Sequence, residues 1–99
     1  MSLILDFISN FNSVADKFTN GWCYYFAVIL CDRFYQDNPE IYYDPIANHF
    51  VTRINNVYYD ANGIYYDYTI LYKWDEYHMI DALDAARVRR DCIVWRWDI

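Results

Sequence analysis

One cysteine, one histidine and one aspartate stand in an order and in settings that suit thiol chemistry. Cys23 lies two residues after Gly21, at the start of the apolar run Trp22–Cys31. A helix starting there presents the thiol among unpaired backbone amides at the positive end of the dipole, which favours a thiolate. The Cys23 amide would also point outward, as one donor to an oxyanion.

The other two residues flank the clearest hairpin signal in the chain. His49-Phe50-Val51-Thr52-Arg53-Ile54 alternates, Asn55-Asn56 supplies a two-residue turn, and Val57-Tyr58-Tyr59-Asp60 returns. Asparagine tolerates positive φ, so the pair suits a type I′ turn. With Ile54 opposite Val57, Val51 falls opposite Asp60 and His49 opposite Asn62. Side chains alternate between faces, so these four share one face of the sheet. His49 and Asp60 are then diagonal neighbours within reach of an imidazole–carboxylate hydrogen bond. Asn62 is the alternative orienting group. A base needs one ring nitrogen held and the other left free. A nucleophile at a helix start, a base on a strand and an orienter on the paired strand are the components of thiol acyl transfer.

The elements that must position these groups read as an α+β arrangement in a single domain over residues 1–99. Leu3, Ile4, Phe7, Ile8 and Phe11 recur at helical spacing, which predicts a helix over residues 2–11, with Val14 and Phe18 extending its face. Thr19 or Asn20 is the expected cap of a buried central helix from Gly21 to Tyr35. Asp37-Asn38-Pro39 closes it. Ile41-Tyr42-Tyr43 suits a short strand before Pro45, and Ile64–Tyr72 a further β run after the turn at Ala61-Asn62-Gly63. Trp74 to Asp91 has a helical pattern with Ile80, Leu83 and Ala86 or Arg87 on one side. Cys92–Trp97 alternates as a last strand would, with Trp95 and Trp97 on one face.

Composition bounds the possibilities. Hydrophobic residues make up 57% of the chain and aromatic ones 22%, with only two glycines and two prolines, so the chain carries ample core and no disorder signature. The formal net charge of −6 opposes binding to phosphate backbones and anionic membranes. Cys23, Cys31 and Cys92 have no regular spacing, and His49 and His78 form no ligand pattern with them. Neither a disulfide framework nor a metal site is expected. The apolar run is shorter than the roughly 20 residues needed to cross a bilayer. Without a basic region before Leu3-Ile4-Leu5, the start reads as an amphipathic helix rather than a signal peptide, and a cytoplasmic location is expected. The Tyr24-Tyr25, Tyr42-Tyr43, Tyr58-Tyr59 and Tyr65-Tyr66 pairs can each send one ring inward and keep one outside.

Asn20-Gly21-Trp22-Cys23-Tyr24-Tyr25-Phe26-Ala27, then His49-Phe50-Val51, then Tyr58-Tyr59-Asp60-Ala61-Asn62-Gly63, resembles the core of papain-like cysteine peptidases over about residues 20–63. The order Cys, His, Asp/Asn is that of the superfamily. The resemblance implies Cys23 as nucleophile, His49 as base and then acid, and Asp60 as orienter. Asn20, three residues before Cys23, is the nearest amide for an oxyanion hole. No metal or organic cofactor is implied, and the substrate would be a protein or peptide-like amide, ester or isopeptide. A second reading is a non-catalytic acidic protein, such as a phage- or mobile-element-encoded inhibitor in the host cytoplasm, docking on a basic surface of a host enzyme.

Overall fold

The computed structural model describes residues 3–19 and 21–94. Within them the chain is α+β, with five helices and a five-stranded antiparallel sheet. The strands β1 (Glu40–Asp44), β2 (His49–Ile54), β3 (Val57–Asp60), β4 (Gly63–Ile64) and β5 (Tyr72–Lys73) lie in the order β4-β3-β2-β1-β5. The β2–β3 register follows the alternation: Ile54 faces Val57, Arg53 faces Tyr58 and Thr52 faces Tyr59. Asn55 (φ 52°) and Asn56 (φ 67°) are both left-handed, as a type I′ turn requires. Asparagine tolerates this region and alanine does not, so Asn55→Ala is expected to cost about 1 kcal/mol in urea denaturation.

Helix α1 (Leu3–Ser9) is followed by a 3₁₀ turn (Asn12–Val14), α2 (Ala15–Thr19) and α3 (Cys23–Arg33). Gly21, at φ 143°, takes a backbone conformation closed to other residues, and the Trp22 amide returns to the Lys17 carbonyl at 3.1 Å. This break ends α2 and lets α3 begin at Cys23. The expected side-chain cap is not made: Thr19 belongs to α2, and the cap position is Trp22, with no side-chain hydrogen bond. Asn20 lies outside the described residues.

Helix α3 is apolar nearly all round because it feeds two clusters. Phe26 and Leu30 pack with Ile8, Phe34, Ile54 and Tyr59. Cys23 and Ala27 pack with Tyr43, Phe50, Tyr77, Ala85 and Val88. The Thr52 hydroxyl donates to the Ala27 carbonyl at 3.2 Å and ties α3 to the middle of β2. The sheet's other face carries tyrosines: Tyr42 against Tyr58 (5.2 Å between centroids), Tyr58 against Tyr68 (5.4 Å) and Tyr65 near Tyr68 (6.1 Å).

Three expectations are corrected. Residues 64–72 are not one strand; only Gly63–Ile64 and Tyr72–Lys73 are extended partners, and the intervening chain carries Tyr65 and Tyr68 over the sheet. The helical pattern after Trp74 is two helices, α4 (Trp74–Ile80) and α5 (Ala82–Val88), because Asp81 leaves helical geometry and caps α5 by accepting from the Asp84 amide at 3.0 Å. Burial therefore falls on Tyr77, Ala85 and Val88, while Ile80 and Leu83 are exposed. Residues Arg89–Val94 form a π-helical turn instead of the start of a last strand. Residues 95–97 of that expected strand lie outside the described residues.

Candidate active site

Each of the three singled-out residues sits at the end of an element. Cys23 is the first residue of α3, a position whose amide has no intrahelical acceptor. His49 opens β2 and Asp60 closes β3. The structure brings His49 and Asp60 together: Nε2 lies 2.9 Å from Asp60 Oδ2, with both residues buried. The other oxygen, Oδ1, accepts the Asn62 amide at 2.8 Å, so the carboxylate is held from both sides. Asn62 is exposed and contributes this backbone donor. The expected His49–Asn62 pairing is not formed, because β3 ends at Asp60 and the chain turns there into β4, with Asp60 opposite Gly63. On its other edge His49 faces Asp44 of β1.

Cys23 meets the same corner. The Phe50 amide donates to its Sγ at 3.4 Å. Its thiol also lies within hydrogen-bonding reach of the His49 ring. With Nε2 on the carboxylate, Nδ1 is the ring nitrogen left for sulfur. Burial opposes charge on the imidazole, but the bonds to Asp60 and Cys23 outweigh it and raise its pKa from 6.5 to about 9. The imidazolium is thus the favoured form at neutral pH, beside the Cys23 sulfur. Burial pushes the Cys31 thiol up to about 11, helped by Asp32, and burial with the nearby Cys23 raises that of Cys92. Both are therefore held as thiols at neutral pH.

Access is narrow. Cys23 is 5% exposed, and Cys92 and Ile93 of the Arg89–Val94 turn pack on its cluster. Two surface pockets, of about 320 and 350 Å³, lie elsewhere, one lined by Cys31, Glu40, Lys73 and Trp74 and the other by Leu3, Arg33 and Phe34. Among the described residues no cluster of three or more His, Cys, Asp or Glu is placed to hold a metal ion, and no helix is long and apolar enough to cross a membrane.

The sequence reading missed Asp44 and Tyr65, which surround His49. Asp44 was findable, since pairing Ile41-Tyr42-Tyr43 with the His49 strand carries the register to it. Tyr65 was not, because a loop delivers it.

Against known proteins, one family model, described as Phage YunG-like protein, matches residues 2–86. No curated protein and no solved structure matches the chain.

Proposed function

We propose that this chain, which belongs to the phage YunG-like protein family, is a small papain-like thiol hydrolase or acyltransferase. The observation that carries this reading is the buried His49–Asp60 bond of 2.9 Å with the Cys23 thiol at the same imidazole. Cys23 Sγ attacks the carbonyl carbon of an amide, ester or isopeptide, and His49 holds the thiol's proton. The proton passes from His49 to the departing amine or alcohol as that bond breaks, leaving a thioester on Cys23. Water or an acceptor amine then attacks the thioester, His49 takes its proton, and the expelled Cys23 thiolate receives it to restore the thiol. Asp60 keeps the ring oriented throughout. Asn20 remains a candidate amide donor to the oxyanion beside the Cys23 backbone amide. No metal or organic cofactor enters the scheme. With Cys23 so little exposed, a substrate larger than a small reagent needs the Arg89–Val94 turn to shift.

The test is iodoacetamide labelling across pH with mass-spectrometric location of each modified cysteine. Cys23 is expected to react first in the folded protein between pH 6 and 8, ahead of Cys31 and Cys92. Labelling of all three at a common rate, and only on unfolding, would overturn the proposal.

One observation favours the second reading, a non-catalytic protein docking on a host partner. Met79, Ile80 and Leu83 are exposed together at the α4–α5 corner, among Asp75, Glu76, Asp81 and Asp84. A partner suited to that corner presents an apolar spot within a basic rim. The host cytoplasm is the compartment either reading implies.

A further inference from the structure

His49 is surrounded on more sides than the triad requires. Asp60 of β3 takes Nε2, Cys23 of α3 approaches the other side, Asp44 of β1 lies opposite in the strand pairing, and Tyr65 packs at a tilt against the ring. The Tyr65 and His49 centroids are 5.2 Å apart at 50°. Tyr65 is anchored twice: its amide donates to the Tyr58 carbonyl at 2.7 Å, and its hydroxyl donates to Asp44 Oδ2 at 2.6 Å. Asp44 is itself fully committed. It is 2% exposed, and its Oδ1 accepts the Ile46 and Ala47 amides at 3.0 Å each. A buried carboxylate is costly unless its oxygens are satisfied, and here they are spent on one turn and one tyrosine. Residue 65 lies outside both strand and helix, so these bonds fix a loop residue in place.

We propose that Tyr65, anchored by Asp44, is a positioning residue for His49, holding the imidazole in the plane that serves both Asp60 and Cys23 and keeping water from the His49–Asp60 bond. The proposal deepens the thiol-enzyme reading above and rests on it for its functional meaning. The physical ground is dielectric. An ion pair covered by an aromatic ring is screened far less than one open to water. A ring clamped on one face also loses the rotation that would swing Nδ1 away from sulfur.

The test follows His49 by NMR titration of its ring protons in wild type, Tyr65→Ala and Tyr65→Phe, with Cys23 labelling measured on the same samples. In Tyr65→Ala, water competes for the bonds to Asp60 and Cys23 that hold the His49 pKa up against burial, so that pKa is expected to fall by about one unit or more toward its ordinary value. The pH profile of Cys23 labelling is expected to move with it. Tyr65→Phe keeps the cover but loses the anchor, so it shifts in the same direction by a smaller amount. A folded Tyr65→Ala protein with wild-type titration overturns the proposal. If that variant does not fold, unchanged titration in Tyr65→Phe overturns it instead. Failure of the thiol-enzyme reading is separately visible, because it would leave wild-type Cys23 unreactive whatever Tyr65 does to His49.

Discussion

His49→Asn is expected to slow labelling of Cys23 by about 100-fold or more near pH 7, since removing a positioned acid–base group typically costs 10²–10⁴. Asparagine matches the reach of imidazole Nδ1 and not of Nε2, so the bond to Asp60 is lost and the carboxylate keeps the Asn62 amide as its partner. What disappears is the counter-charge. His49 carries a proton up to about pH 9 because Asp60 and Cys23 stabilise its cation against the cost of burial. A thiolate formed at a site with 5% exposure has little water to replace it. Cys31 serves as the internal reference, with its rate expected to be unchanged. The measurement is site-resolved labelling of both proteins over pH 6–9, with circular dichroism to check folding. Equal Cys23 rates would make the thiol ordinary core.

The second large effect is on stability, and its pH dependence has a definite sign. The His49 pKa rises from 6.5 to about 9 on folding. A raised pKa means the folded state holds its proton more tightly. The resulting stabilisation, on the order of 3 kcal/mol, is complete below about pH 6.5 and is lost as pH climbs through 9. Asp60→Ala removes the acceptor and leaves a buried imidazole without it, so at pH 6 it is expected to cost about 3 kcal/mol. Between pH 6 and 9.5 the gap to wild type should narrow, because wild type loses its advantage. A residual gap of about 1 kcal/mol persists from the lost acceptor for the Asn62 amide. Urea denaturation at pH 6, 7.5 and 9.5 measures this. A gap that stays constant across the three would mean that His49 does not gain its proton affinity from Asp60.

The two residues of the β2–β3 corner were legible because their relation is local. A strand's two-residue period and a turn that tolerates two left-handed residues determine register within about a dozen positions. The same parity that buries Val51 and Ile54 on opposite faces puts His49 and Asp60 on one. The choice between Asp60 and Asn62 was not legible, because it depended on where β3 stops, and that is decided by the turn into β4. Helix onset at Cys23 was half legible: Gly21 marks the break, yet the cap expected from Thr19 or Asn20 gave way to Trp22.

Other features had no local signature at all. Asp81 looked like one more polar residue in a helical run, and only its accepted bond from the Asp84 amide shows that it starts a new helix. The Tyr-rich segment after Ile64 has the composition of a strand. Its rings satisfy the sheet's open face instead, and that face exists only once β1, β2 and β3 are assembled. By itself the sequence determined the α+β class, the hairpin and the shared sheet face of His49 and Asp60, all set by backbone periodicity and turn chemistry. The tertiary structure alone decided that Cys23 meets that imidazole and that Tyr65 and Asp44 enclose it. The reason is that docking α3 on β2 and closing the 65–71 loop are governed by non-local burial, which no short window of residues contains.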